Sequence, residues 1–151
     1  MTPLKSSIII LVADDDAEDR MLLLEAMEEN RLKNSIEFVE NGEELLDYLY
    51  NRDKFSDPEK YPMPGLILLD LNMPKKDGRE ALKEIKSDPQ LRLIPIVILT
   101  TSKAEEDIVK TYNLGVSSFI TKPVTFTALV DMMKTLTSYW FELVELPNIK
   151  K

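Results

Sequence analysis

The sequence has no cysteine and no histidine among its 151 residues, and it has only four glycines. These absences exclude disulfides, thiol nucleophiles, zinc sites made of cysteine and histidine, and any reaction or phosphorelay step that needs a histidine of this chain. No glycine-rich loop follows the first apolar run, which disfavours a nucleotide or flavin binder. A metal ion bound here must therefore be a hard cation with oxygen ligands.

Long apolar runs and positive charge are also scarce. The longest apolar run, Ile8–Ala13, has six residues, too few for a transmembrane helix or a signal-peptide core, so we expect a cytoplasmic protein without membrane contact. The net charge is −8, from 19 basic and 27 acidic residues, and no basic patch offsets it, which argues against nucleic acid as a partner. The length predicts a single domain over residues 1–151.

Short apolar runs alternate with segments of helical periodicity, the pattern of repeated βα units. The runs predict strands at Ile8–Ala13, Ile36–Val39, Leu66–Leu69, Ile96–Leu99 and Ser118–Ile120. Helices are predicted at about 17–31, 43–50, 79–87, 104–113 and 126–145. We therefore expect an α/β fold, a (βα)5 three-layer sandwich around a parallel sheet.

The flavodoxin-like strand order 2-1-3-4-5 is one of two common orders for such a sheet, and it is the one that we predict here. The segment 51–65 contains three prolines and mixed charges, which predicts a long loop before the third strand. The last segment, about 125–151, predicts an extended C-terminal helix and tail. Its apolar residues cover more than one stripe of the helix, so it forms either a wide core face with a folded-back tail or, as we favour, a homodimer interface.

Charged and polar residues follow four of the predicted strands, at the ends where open parallel sheets carry their sites. Asp14 and Asp15 follow the first strand, Asp70 the third, Thr100 the fourth and Lys122 the fifth. The first and third strands are neighbours in the predicted order, so the three carboxylates should converge. Converging carboxylates repel one another, and folds keep them mainly for a cation or a reaction. The pattern predicts Mg²⁺, an aspartate that accepts a phosphoryl group, and a hydroxyl and an ammonium that stabilise it.

Each of these residues also has an ordinary structural interpretation. Asp16 is the preferred cap of the first helix, Asp70 can cap a loop, and Thr100 can cap a helix or form a turn. Lys122 in isolation would be a surface lysine, but Pro123 after it makes this peptide bond a candidate cis bond that would fix the direction of the lysine. The ordinary interpretations together require several coincidences at matching strand ends, so we favour the functional one.

These residues and intervals resemble the receiver domain of bacterial response regulators, the CheY-like phosphorylated half of two-component systems. The resemblance covers essentially the whole chain. It rests on the acidic pair Asp14-Asp15, on Asp70 within the motif Leu-Asp-Leu-Asn-Met-Pro-x-x-Asp-Gly, on Thr100 thirty residues later and on Lys122-Pro123 twenty-two residues after that.

The resemblance implies a role for each of these positions. Asp70 would be the phosphoacceptor, Thr100 would contact the phosphoryl group and Lys122 would pair with it. The Mg²⁺ ligands implied by the family are Asp15, Asp70, the backbone carbonyl of Asn72 and, through water, Asp14. Phe119, otherwise a simple core residue, would take the family's aromatic switch position together with Thr100. The switch would repack the surface formed by the fourth helix, the fifth strand and the fifth helix. Phe119 lacks the hydroxyl that many receivers have there, so ring packing alone would operate it.

The C-terminal segment Tyr139–Pro147, with Thr100-Thr101-Ser102, is similar to regulators that serve bacterial phytochrome histidine kinases. A sensor histidine kinase is therefore the implied partner, with a bacterial phytochrome as one candidate. It would dock along the first helix, where Met21, Leu22 and Leu23 are expected to leave apolar surface. The chain would not be an enzyme beyond catalysing its own phosphorylation and dephosphorylation.

Two other functions compete with a phosphorylated receiver. A Mg²⁺-dependent phosphohydrolase on a similar fold also uses an aspartyl nucleophile, but it usually has a second acid two residues later, where this chain has Asn72. A receiver-like interaction module that is never phosphorylated normally lacks the acids or the lysine, which are present here.

Overall fold

The computed structural model describes residues 8–30 and 35–149, in which five strands alternate with five α-helices. The elements are β1 (Ile9–Ala13), α1 (Ala17–Glu29), β2 (Ser35–Val39), α2 (Gly42–Tyr50), β3 (Leu66–Leu69), α3 (Gly78–Ser87), β4 (Ile96–Thr100), α4 (Glu105–Leu114), β5 (Ser118–Thr121) and α5 (Phe126–Ser138). All five predicted strands are present, with bounds that agree to within one residue. The helix predicted at 17–31 ends at Glu29, and residue 31 lies outside the described part of the chain.

The sheet is parallel throughout, with the order β2-β1-β3-β4-β5, so the predicted flavodoxin-like architecture is confirmed. The register pairs Ala13 of β1 with both Val39 and Leu69, and Thr100 of β4 with Thr121. The carboxyl ends of the strands therefore lie along one edge of the sheet, where the segments after β1, β3, β4 and β5 meet.

The three central strands β1, β3 and β4 are buried on both faces, as their apolar runs predict. Alternate residues of β1 enter separate cores: Leu11 and Ala13 pack with α2 and α3, whereas Ile10 and Val12 pack with α1 and α5. The period of two along a strand thus places one layer of helices on each side of the sheet. None of the helices in the described ranges has the length and apolar content needed to span a bilayer.

Side-chain caps fix where the helices begin. Asp16 caps α1 by accepting hydrogen bonds from the backbone N–H groups of Glu18 and Asp19, which confirms the structural interpretation of this aspartate. Asp77 caps α3 in the same way, through the N–H of Glu80. These caps satisfy donors that the first helical turn leaves unpaired. They set the orientation of the two loops that carry the acidic residues.

The loop at 51–65 is packed by its own aromatic residues. Phe55, within a short 3₁₀ turn, and Tyr61 pack on each other and on Tyr48 of α2, with ring centroids 5.0–5.6 Å apart. The Tyr48 hydroxyl also donates a hydrogen bond to the carbonyl of Pro62. The predicted loop is therefore an ordered cover over α2, and its extra length stays away from the carboxyl edge of the sheet.

The C-terminal helix is shorter than predicted. The α-helical part ends at Ser138, and a π-helical turn over Tyr139–Leu143 replaces the expected continuation to 145. Beyond it the chain folds back, so that Leu146 and Ile149 pack against the two cores. The folded-back tail thus accounts for part of the surplus apolar surface in this segment.

Candidate functional site

Three aspartates from two strand ends form an acidic cluster at the carboxyl edge of the sheet. Asp14 and Asp15 follow β1 and Asp70 follows β3, and a carboxylate oxygen of each lies within 4.8 Å of the others. Backbone bonds fix these loops: the N–H of Asp14 donates to Val39, and the N–H of Asp70 donates to Ala13. The predicted convergence of the three carboxylates is therefore observed.

Asp70 is buried, with 7% of its surface exposed, and both of its carboxylate oxygens are hydrogen-bonded. Its Oδ1 accepts from the Thr100 hydroxyl at 2.8 Å and from the backbone N–H of Asn72 at 3.1 Å, and its Oδ2 accepts from Lys122. The hydroxyl of the fully buried Thr100 thus points at the carboxylate and does not cap α4. Asn72 is exposed beside it.

Lys122 reaches the cluster from the end of β5. Its ammonium lies 2.8 Å from Asp14, 2.7 Å from Asp19 and 2.9 Å from Asp70, so it is not a surface lysine. Burial alone would lower the pKa of Lys122, but the hydrogen bonds to these three carboxylates outweigh burial and raise the pKa above its ordinary value. The lysine therefore stays charged and offsets part of the repulsion between the acids.

The prediction of a cis bond between Lys122 and Pro123 is wrong, because no cis peptide occurs in residues 8–30 and 35–149. The direction of the lysine is set by other contacts. Its backbone N–H continues the sheet by donating to the carbonyl of Thr100 at 2.8 Å, and its ammonium is held by three carboxylates.

Asp14 is the most deeply buried carboxylate of the cluster, with 2% of its surface exposed. Burial raises the pKa of Asp14 above its ordinary value, although the hydrogen bonds from Lys122 and from the N–H of Asp16 lower it in part. Arg20 lies behind this residue and donates to its backbone carbonyl at 2.8 Å. The environment of Asp14 therefore favours a neighbouring positive charge.

The loop after Asp70 depends on a glycine at the start of α3. The N–H of Gly78 donates to the carbonyl of Leu71, and a Cβ at position 78 would lie 2.3 Å from the carbonyl oxygen of Asp70. Only glycine allows this approach of two backbone segments. The motif Asp-Gly thus shapes the loop that carries the acid.

Phe119, on β5, is half-buried and packs against the core on the side of α2 and α3. Its backbone N–H donates to the hydroxyl of Tyr112 on α4 at 3.2 Å. Phe119 lies two residues before Thr121, the partner of Thr100 in the sheet, which places it close to the strand end that carries the lysine.

Sequence reasoning missed Asp19 and a polar group between α3 and α4. Asp19 lies in the first turn of α1 and is the third carboxylate on Lys122. Arg79, in the first turn of α3, forms a two-pronged ion pair with Asp107 of α4, which also accepts a hydrogen bond from Ser102. The hydrogen bond from Arg79 lowers the pKa of Asp107 to about 2 despite its burial. Asp19 could have been found from the sequence, because it lies in the first helical turn after the acidic pair. No local sequence pattern indicates the pairing of Arg79 with Asp107.

The apolar surface expected on the first helix is present with one correction. Met21 and Leu22 are exposed, but Leu23 is buried in the core, and Leu24 is exposed in its place. Leu22 lines a small cavity next to Asp14, Asp19 and Lys122. An apolar strip on α1 therefore adjoins the acidic cluster.

Comparison with known proteins identifies this arrangement. Residues 10–134 match the family described as the response regulator receiver domain. The chain belongs to the response regulator receiver-domain family. The predicted receiver domain is thereby confirmed. Proteins of this family are response regulators of two-component systems.

Similar proteins include other response regulators, one of them a phytochrome response regulator. The response regulator Rcp1 of Synechocystis sp. is 38% identical over 92% of both chains. The crystal structure of the phosphorylated cyanobacterial phytochrome response regulator RcpA is 38% identical, with a TM-score of 0.86, and the match covers 94% of this chain and 99% of that one. The Mn²⁺-bound form of Rcp1 is 38% identical, with a TM-score of 0.83 over 93% and 99% of the two chains.

The donor set of this receiver fits a hard divalent cation. Asp14, Asp19 and Asp70 contact the one ammonium of Lys122, and Asp15 lies in the same acidic cluster, so negative charge is in excess. Carboxylate oxygens are the ligands that Mg²⁺ prefers, and receiver domains bind Mg²⁺ through acidic residues. The predicted cofactor, Mg²⁺, is thereby confirmed.

Proposed function

We propose that Asp70 is the phosphoacceptor of this response regulator and takes its phosphoryl group from a sensor histidine kinase. The observation that carries the proposal is the set of contacts around its carboxylate: the Thr100 hydroxyl at 2.8 Å, the Lys122 ammonium at 2.9 Å and the neighbouring Asp14 and Asp15. These are the groups that a phosphoryl transfer requires, because positioning and charge stabilisation supply nearly all of its catalysis.

We assign the Mg²⁺ ligands to Asp15, Asp70 and the backbone carbonyl of Asn72, with Asp14 acting through water. When bound there, the ion would neutralise charge on the phosphoryl oxygens. Support for this assignment comes from the exposure of Asp15 at the mouth of the cluster and from the position of Asn72, whose backbone N–H already donates to Asp70.

In the proposed reaction a carboxylate oxygen of Asp70 attacks phosphorus, and the bond from phosphorus to the kinase imidazole breaks. The imidazole leaves with the electron pair, and an aspartyl-phosphate remains. Lys122 and Thr100 donate to phosphoryl oxygens, which they can reach by small shifts because both already donate to Asp70. The chain is then a phosphoacceptor that catalyses only its own phosphorylation and dephosphorylation.

We propose that Thr100 and Phe119 form the switch. A phosphoryl group adds about −1.5 to −2 charges and three strong acceptors at Asp70, which draws the Thr100 hydroxyl away from its present bond. The half-buried ring of Phe119 can then repack between β4 and α4. The affected surface consists of α4, β5 and α5.

Incubation with Mg²⁺ and acetyl phosphate tests the acceptor function. We expect the intact mass to show one phosphoryl group, stable in acid and labile in base, and we expect chelation of Mg²⁺ with EDTA to prevent its addition. Continuous turnover of a phosphoester substrate would instead indicate a phosphohydrolase. No gain in mass would indicate an interaction module and would overturn the proposal.

We propose that the kinase docks on α1 and that a bacterial phytochrome is a candidate for it. The exposed side chains of Met21, Leu22 and Leu24 form an apolar strip beside the cavity at Asp19 and Lys122. A kinase bound there would hold its phosphorylated histidine close to Asp70. Support for a phytochrome comes from the relatives named above.

The cytoplasmic location, the single domain over 1–151 and the absence of a nucleic-acid partner stay predictions.

We also propose a homodimer formed through the last helix. Phe126, Tyr139 and Leu143 remain exposed there, Leu143 with 73% of its surface accessible, and exposed apolar clusters mark interfaces. We expect Leu143→Glu to convert a dimer to a monomer in sedimentation velocity. Val109→Glu on α4 is the matched control, because Val109 is also exposed. A wild-type monomer, or dissociation by the control alone, would contradict this interface.

A further inference from the structure

Helix α4 is attached to the rest of the protein by polar contacts as well as by Leu114, which packs against the core. Its two buried residues are Asp107 and Thr111, and neither is apolar. Asp107 is 8% exposed and accepts two hydrogen bonds from Arg79 of α3, at 2.8 and 2.7 Å. A two-pronged guanidinium–carboxylate pair fixes direction as well as distance. The position of α4 therefore depends in part on Arg79.

The same carboxylate holds the segment that leads from β4 to α4. The Ser102 hydroxyl donates to Asp107 at 2.9 Å and accepts from the N–H of Ala104 at 3.3 Å. Ser102 lies two residues after Thr100, whose hydroxyl bonds Asp70. Thr100 is thus connected to α4 by a short segment with both ends fixed.

The set of contacts made by Ser102, Asp107 and Arg79 ends, on the side of Arg79, in the loop after Asp70. Gly78, just before Arg79, donates its backbone N–H to the carbonyl of Leu71. The guanidinium of Arg79 lies 3.5 Å from the same carbonyl and 3.5 Å from the side-chain oxygen of Asn72. The ion pair therefore joins the loop after Asp70 to the loop after Thr100. Stability alone is a weak reason for such a pair, because a well-packed apolar contact often stabilises a fold as well as a buried ion pair.

We propose that Arg79 and Asp107 are positioning residues that link α4 to the phosphorylation site through Ser102. When Thr100 moves toward a phosphoryl group on Asp70, the Ser102–Asp107 hydrogen bond transmits the displacement to α4. The ion pair with Arg79 keeps Asp107 attached to α3 during this movement. This inference rests on the proposed function of Asp70. It adds a named connection between the site and the helix that responds.

Hydrogen exchange read by mass spectrometry tests the link, with Mg²⁺ alone and with Mg²⁺ plus acetyl phosphate. In the wild-type chain we expect phosphorylation to change exchange in residues 101–104 and in α4. In Arg79→Gln the chain still gains its phosphoryl group and residues 101–104 still respond, but the response of α4 is lost. Arg79→Lys, which keeps one charged donor, recovers part of it. The exposed Arg92 provides the control Arg92→Gln, which behaves as wild type.

The following outcomes oppose the link. If Arg79→Gln lowers the Tm but leaves the response of α4 at the wild-type level, the pair is only structural and the proposal is wrong. If that variant does not fold, Ser102→Ala removes one hydrogen bond from the same group, and a full response of α4 in it is equally decisive. Intact mass on the same samples separates the two proposals. If the wild-type chain gains no phosphoryl group, both proposals are wrong. If it gains one and the hydrogen exchange of α4 stays the same as without acetyl phosphate, only the link is wrong.

Discussion

Asp70→Asn is expected to abolish phosphoryl uptake from acetyl phosphate while the fold is kept. Asparagine has nearly the shape of aspartate, and its Oδ1 can still accept from Thr100 and from the N–H of Asn72. Its amide group is not a nucleophile, however, and it presents a donor to the ammonium of Lys122 where Oδ2 accepted before. Lys122 keeps Asp14 and Asp19 as partners, so the loss of one carboxylate leaves the site charged and folded.

The measurement is intact mass after incubation with Mg²⁺ and acetyl phosphate, with circular dichroism as the check on folding. Asp77→Asn is the matched control, because it makes the same chemical change in the same loop. Asp77 caps α3, and asparagine caps helices as well as aspartate does, so this variant should take up one phosphoryl group as wild type does. Uptake by Asp70→Asn at the wild-type rate would place the acceptor on another residue, which peptide mapping would identify.

The sheet could be predicted from the sequence because its strands carry the strongest signal. Runs such as Leu66–Leu69 are apolar on both faces, and only helices on both sides of a parallel sheet can cover them. The end of α5 could not be predicted in this way. Leu136 and Phe141 are both buried although they are five residues apart, roughly 0.4 of a turn out of phase in an α-helix. The π-helical turn, closed by the bond from the N–H of Val144 to Tyr139, brings Phe141 back to the core.

Within the site, too, some residues could be placed from the sequence and others could not. Asp14, Asp70 and Lys122 follow strands directly, so the strand order was sufficient to bring them together. Asp19 and Asp107 lie on helices, and their partners depend on the rotation of each helix about its axis. That rotation is set by packing across the whole layer, which a short sequence window does not contain. The prediction of a cis bond before Pro123 failed for the same reason, because contacts with distant carboxylates orient Lys122 without it.

Lys122→Met is expected to impair both folding stability and phosphoryl transfer. Methionine fills much of the space of the lysine stem, but it leaves Asp14 and Asp70 buried, at 2% and 7% exposure, without their shared counter-charge. Removing one partner of a buried ionic group costs about 3–5 kcal/mol, so the urea midpoint measured in EDTA should fall sharply. The loss of a preorganised donor to the phosphoryl oxygens should slow uptake by about 100- to 1,000-fold.

Mg²⁺ should restore part of the lost stability, because a cation bound to the folded state takes over the neutralisation of the carboxylates. The shift of the urea midpoint on adding Mg²⁺ is therefore expected to be larger for Lys122→Met than for wild type, while phosphoryl uptake stays slow at any Mg²⁺ concentration. Lys134→Met on the exposed side of α5 is the control and should change neither quantity. Equal midpoints for Lys122→Met and wild type in EDTA would mean that the carboxylates do not depend on this lysine. The separation of the two effects follows from charge: the ion can replace the positive charge between the acids, but not the ammonium that donates to the transferred group.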